Sequence, residues 1–146
     1  MQEIIDDFAQ TIATACERLA QISEAESAAF PAPGKWSKKE ILGHLLDSAS
    51  NNHQRFVRAQ QTDELQSPRY AQEEWVAAQN YQAVAWRELL AFWQSYNQHL
   101  LHVVKQIPAE KLTNIVRVGD LEPVTLGFLI EDYVKHMQQH LRQILG

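Results

Sequence analysis

Leu126-Gly127-Phe128-Leu129-Ile130-Glu131-Asp132-Tyr133-Val134-Lys135-His136-Met137-Gln138-Gln139-His140-Leu141-Arg142-Gln143-Ile144-Leu145 is the stretch that decides the fold. Leu126, Ile130, Tyr133, Met137, Leu141 and Ile144 return at steps of three and four, the seam of a helix packed along one side. Thr125 stands before it as an N-cap. The same helix carries His136 and His140, four residues apart. Residues so spaced lie one above the other, about 6 Å apart along the axis. Both imidazoles then reach one divalent cation with bonds of roughly 2.0–2.1 Å. A third imidazole from a facing helix would complete a site with open positions for water or substrate, the mark of a reactive metal rather than a structural one.

Further helices follow from the same period. Ile5, Phe8, Ile12, Ala15, Leu19 and Ile22 form the seam of a first helix. Phe30-Pro31-Ala32-Pro33-Gly34 breaks the pattern, so residues 24–36 form a connection. Ser37 with Glu40 makes a capping box for a second helix that runs to about Gln60, with Leu42, Leu45, Leu46, Ala49 and Phe56 on its apolar side. Residues 61–79 are polar, broken by Ser67-Pro68, and read as a long loop anchored by Tyr70 and Trp75. A third helix covers 80–106 through Trp86, Leu89, Trp93, Tyr96, Leu100 and Val103, and Pro108 closes it. Ile115 to Pro123 alternates around Gly119-Asp120 as a small β-hairpin before the last helix. The expectation is an all-α fold, a four-helix bundle with long connections, in one domain spanning 1–146. No Glu-x-x-His run occurs, which argues against a ferritin-like di-iron bundle.

Composition narrows the function classes. With 45% hydrophobic residues the chain is globular. Its 18 acidic residues outweigh 13 basic ones for a net charge of −5, the opposite of a nucleic-acid binder. The first residues lack a secretory pattern, and no apolar run approaches the roughly 18 residues of a membrane span. The single Cys16 excludes an internal disulfide framework and fits a reducing compartment. A cytoplasmic protein without nucleic-acid or membrane partners is expected.

Several polar side chains compete for a functional role. His44 shares a helical stripe with Ile41, Ser48, Asn51 and Arg55, which reads either as a solvated face or as a wall facing a cavity. Leu129, Tyr133, His136 and His140 continue one inward line, and buried imidazoles need partners, from a metal or from a hydrogen-bonded polar core. Asp47 either orients a ligand imidazole or moves a proton, or else is an exposed carboxylate or an ion-pair partner of Arg55 or a lysine. Asp132, four residues before His136, is a similar candidate. Arg55 and Arg58 read as surface arginines that could meet an anionic substrate. His53, His99 and His102 read as surface or interface residues, and Cys16 as a packed, inert thiol. No Ser-His-Asp or Cys-His signature supports covalent catalysis.

The run Lys35-Trp36-Ser37 followed by Gly43-His44-Leu45-Leu46-Asp47-Ser48, and the closing Tyr133-x-x-His136-x-x-x-His140, resemble the DinB-like superfamily (the DinB/YfiT metal-dependent hydrolase group) over nearly the whole chain. The resemblance implies a four-helix bundle with His44, His136 and His140 as ligands of a divalent metal ion, zinc or nickel. It implies chemistry of the thiol S-transferase or hydrolase type on a small-molecule substrate, with a low-molecular-weight thiol as a possible cosubstrate and Asp47 as the candidate catalytic side chain. It also implies a homodimer, in keeping with the spread of Trp86, Leu90, Phe92, Trp93, Tyr96 and Leu101 beyond one stripe of the third helix. The competing expectation is a non-catalytic metal-binding or stress-response dimeric module.

Overall fold

The computed structural model describes residues 1–146. Its elements are α1 (Gln2–Leu19), α2 (Glu24–Ala28), α3 (Lys38–Arg58), β1 (Glu64–Ser67), α4 (Gln72–Gln79), α5 (Trp86–Gln106), β2 (Ile115–Val118), β3 (Val124–Thr125) and α6 (Leu126–Leu145). The four long helices α1, α3, α5 and α6 are the expected bundle. Each of α1 and α3 packs against both α5 and α6, so α1 lies diagonally opposite α3 and α5 opposite α6. The first and last connections therefore cross the end of the bundle between diagonal helices, which explains why both are long.

Local chemistry sets the helix ends. At α3 the Ser37 N–H donates to Glu40 Oε1 at 3.1 Å and the Glu40 N–H donates to Ser37 Oγ at 3.2 Å. At α6 the Phe128 N–H donates to Thr125 Oγ1 at 3.1 Å. The expected connection at 24–36 hides a short helix, α2, capped by a second such box from Ser23 and Glu26. Its Glu24 pairs with buried Lys39 and accepts the Trp86 backbone N–H at 2.8 Å, fastening the starts of α3 and α5 together. The third long helix begins at Trp86 rather than near residue 80. Asn80 adopts a left-handed conformation (φ 46°) and Tyr81–Ala83 form a 3₁₀ turn, so the helix cannot propagate through them.

The hairpin before α6 is present as β2 and β3, with Gly119 in the left-handed region (φ 57°) where the chain leaves β2. The polar loop after α3 contributes more order than expected. Its β1 pairs in parallel with β2, from Glu64 opposite Ile115 to Ser67 opposite Val118, and α4 follows. This small sheet seats the loop across the gap between α3 and α6.

The core centres on Tyr133. Its ring meets Phe8 of α1 edge-on at 5.8 Å and Phe56 of α3 at 5.6 Å between centroids. Its hydroxyl donates to Asn97 Oδ1 of α5 at 2.6 Å. One side chain of α6 thus touches all three other long helices. Trp86 and Trp93 of α5 are buried in this core rather than left for another chain, while Phe92 is 57% exposed. Replacing Tyr133 with Phe keeps the packing but leaves Asn97 Oδ1 buried without its donor. The expected cost is about 1–3 kcal/mol, read as a lower urea midpoint for metal-free Tyr133→Phe than for wild type.

Candidate metal centre and adjoining cavity

His44 points into the bundle from the second turn of α3 and is fully buried, so it does not belong to a solvated face. It faces His136 and His140 of α6, both half-buried. The His136 Nε2 atom stands 3.4 Å from His44 Nε2 and 3.1 Å from His140 Nε2. The ring centroids of the three histidines lie 4.5–5.2 Å apart. Trp36 covers the His44 ring, 5.1 Å between centroids.

The donor set fits a divalent cation. An imidazole nitrogen carries either one hydrogen or one lone pair, so His136 Nε2 can hydrogen-bond at most one of its two neighbours. Three lone pairs converging on a cation resolve that conflict. Nitrogens bound to one ion through bonds of roughly 2.0–2.1 Å stand about 2.9–3.4 Å apart for angles between square and tetrahedral, matching the two spacings around His136, while the whole set of three lies within 4.8 Å. Gln143 Oε1 accepts from His140 Nδ1 at 2.9 Å, which fixes that ring with its Nε2 lone pair facing inward. Burial, helped by the neighbouring His140 and His136, pushes the His44 pKa down to about 4. His136 is lowered as well, by burial first and then by His140, against the opposing charge of Asp132. Both rings are therefore neutral near pH 7, the form that binds metal.

On one side of the cluster lies a cavity of about 630 Å³ lined by His136, Tyr133, Asp132, Ser48, Asn52 and Arg55, with Tyr70 and the hairpin opposite. Arg55 is buried, unlike the surface arginine expected: Nε donates to Ser67 Oγ and Nη2 to Pro68 O, both at 3.0 Å. The cavity wall contains Asn52 where sequence reasoning placed Asn51. Successive helical residues turn by about 100°, so Arg55, Ser48 and Asn52 fall about 20°, 40° and 80° to one side of His44, while Asn51 and Asp47 fall about 20° and 60° to the other. The cavity occupies the first side only. Asn51 instead donates to Asp47 O at 2.9 Å.

Asp47 is buried and pairs with neither Arg55 nor a lysine, nor does it hold an imidazole. Its Oδ1 accepts from Tyr81 Oη at 2.6 Å and from Gln79 Nε2 at 2.8 Å, while Oδ2 and His44 Nδ1 are buried without partners. Burial raises its pKa despite those two donors. The Tyr81 ring occupies space that only Gly43 leaves open; a Cβ there would overlap it. Tyr81 and Gln79 carried no sequence signal, since Gln79 closes the stretch read as a polar loop and Tyr81 falls at the expected start of the third helix, but the Gly43-His44 pair could have suggested a close approach. Asp132 lines the cavity, exposed and without a hydrogen bond to His136. His53, whose Nδ1 lies 3.0 Å from Tyr96 Oη, forms a separate group with His99 and His102 on the outer side of α3 and α5. Cys16 is half-buried, and burial raises its thiol pKa, which disfavours the thiolate form.

A helical bundle whose two facing helices bring three imidazoles to the edge of a cavity defines a class of potential metal-site bundles. The model of the DinB superfamily matches residues 1–144, and the chain belongs to that superfamily. Among solved structures it is similar to YfiT from Bacillus subtilis, described as a probable metal-dependent hydrolase with an unusual four-helix bundle topology, at 17% identity over 98% of this chain and 82% of that one (TM-score 0.87). It is similar to a mycothiol-dependent maleylpyruvate isomerase at 15% identity over 99% of this chain and 60% of that one (TM-score 0.81). The DinB-like protein YjoA from Bacillus subtilis aligns at 18% identity over 97% and 86% (TM-score 0.67). At these identities the likeness is one of fold. None of the curated proteins matches the chain significantly. No helix is long and apolar enough to cross a membrane.

Protons and metal compete for the same nitrogens. In the folded protein His44 takes up a proton only near pH 4, below its ordinary range, so bound metal should be held at neutral pH. It should be lost as the pH falls from roughly 6 to 4, measured by metal analysis after dialysis. His140→Ala should fall below stoichiometric metal at pH 7, and full occupancy in that variant would contradict the three-histidine assignment.

Proposed function

We propose that the protein is a divalent-metal-dependent enzyme acting on a small molecule seated in the cavity beside His136, by thiol transfer or hydrolysis. One observation carries the reading: His136 belongs both to the converging imidazole cluster and to the cavity wall. A cation held by His44, His136 and His140 supplies Lewis-acid activation of a water or thiol nucleophile. Zinc and nickel are the metals we assign, because both suit neutral imidazole donors. The thiol dependence of the similar isomerase and the hydrolase description of YfiT support the two reaction types.

The chain's own residues supply positioning and a proton acceptor. Ser48, Asn52 and Tyr70 present polar groups to the cavity, and the segment after β1, from Arg69 to Gln72, forms part of its wall. Asp47, on the flank of His44 away from the cavity, is the proposed proton acceptor for the metal site rather than a direct contact of the cavity's ligand. Tyr81 and Gln79 clamp one oxygen, the other is free, and burial raises its affinity for a proton. We assign a homodimer as the assembly, with exposed Phe92 in the interface; a monomer by light scattering at tens of micromolar would remove that assignment.

The reading is tested by metal analysis of wild type beside His136→Ala, and by a turnover screen with bacillithiol, mycothiol, glutathione and coenzyme A as donors and with amide and ester substrates. Metal-dependent turnover lost in His136→Ala is expected. A metal-loaded protein inert across the screen would leave a non-catalytic metal-binding module. Asp47→Asn, which keeps the shape, should lower kcat with little change in metal affinity. A purely supporting role for Asp47 would instead weaken metal binding by about 10- to 100-fold.

A further inference from the structure

We propose that Arg55 is the anchor for a carboxylate on the cavity's ligand, which is therefore a monoanionic organic acid. The inference takes its reactive end from the metal-dependent reading above, and adds what sits at the other end. Arg55 is only 7% exposed, yet no carboxylate of the protein pairs with it. Its two protein bonds, from Nε to Ser67 Oγ and from Nη2 to the Pro68 carbonyl, fix the plane of the guanidinium through neutral acceptors. Nη1 has no acceptor, so the Nη1–Nη2 edge keeps donors in the geometry that meets two carboxylate oxygens. Burying a charge without a counter-charge is costly unless something else completes it.

The other arginine at this cavity is a poorer anchor. Arg69 is exposed and already faces Asp120, with Nη1 3.4 Å from Oδ1. The remaining wall sets the rest of the ligand. Leu121, Val124 and Phe128 offer an apolar surface for its body. Asp132 and Glu122, exposed acidic residues of the lining, disfavour a second negative group. Between His44 and Arg55 the helix rises about 16 Å, so a ligand anchored at Arg55 extends toward His136 along α3 rather than sitting on the cluster itself.

The test is a heteronuclear NMR titration of hexanoate and of hexanamide into wild-type protein, both metal-loaded and after chelation. Hexanoate should bind in both forms, and hexanamide should bind roughly 10- to 100-fold more weakly, the range for a hydrogen bond to a charged group. Arg55→Met should lose the preference for the acid, whereas Arg58→Ala, a charge removed from the exposed end of the same helix, should keep it. Equal binding of acid and amide to wild type overturns the proposal without reliance on any variant. So does acid binding that survives Arg55→Met, or that disappears with the metal, because the carboxylate would then sit on the ion. Inorganic phosphate displacing hexanoate at equal concentration would overturn the carboxylate assignment in favour of a phosphoryl group. A protein that binds no metal but shows Arg55-dependent hexanoate binding would sink the metal reading and leave this one standing.

Discussion

The buried bond from Tyr133 to Asn97 is the constraint on which the rest of the arrangement depends. Tyr133 is the point where α6 meets α1, α3 and α5 at once, through two edge-on aromatic contacts and one hydrogen bond. A hydroxyl so deeply buried tolerates only a few orientations, because a lost partner costs about as much as a lost core methylene or more. That fixes the rotation of α6 about its axis. His136 follows one turn later and His140 one turn after that, so their directions are inherited from the core. The line of cavity residues on α3 is set in the same way, through the edge-on contact of Phe56 with the Tyr133 ring.

Against that frame the histidine cluster is a local frustration that the fold maintains. Three imidazoles are brought within a few ångströms of one another, with no carboxylate bonded to any of them. Burial holds His44 and His136 neutral, which removes charge repulsion but leaves competing lone pairs. The polarity of the site is divided by His44: on one side a cavity whose wall holds a guanidinium without a counter-charge, on the other Asp47 with one oxygen held by Tyr81 and Gln79. Helical geometry on α3 sets that division, since Arg55, Ser48 and Asn52 sit on one flank of His44 and Asp47 on the other, where Gln79 and Tyr81 reach it from a later segment.

Much of this was legible in the sequence, and the illegible parts have physical reasons. The capping boxes at Ser37 and the cap at Thr125 locate helix starts because the residues act within their own turn. The seams of α1 and α6 were visible because they bury one continuous stripe. By contrast, β1 is polar and alternately exposed, and its partner β2 is distant in the chain, so nothing local announces it. Helix α4 has no side-chain cap and almost no amphipathicity. Helix α2 did carry a signal in Ser23 and Glu26, masked by the prolines that follow. The three histidines were recoverable from spacing and family resemblance together. The burial of Arg55 was not, because it depends on the backbone at Ser67 and Pro68 arriving through a sheet formed with residues some fifty positions later.

The diagonal path of the chain carries a consequence for biosynthesis. Because α1 and α6 are neighbours while α1 and α3 are not, the first bundle helix has no adjacent long partner until α5 is made, and its groove closes only with α6. Ribosomal synthesis thus releases His44 early, on a helix whose core partners do not yet exist, and delivers His136 and His140 more than eighty residues later. Contacts of such sequence separation delay assembly until the distant partner is present. A nascent chain offers scavenging ions a single imidazole at most from this site. Any ion capture by the full triad would thereby be coupled to completion of the bundle, and the order of the genetic message acts as a timer on when the three imidazoles can come together.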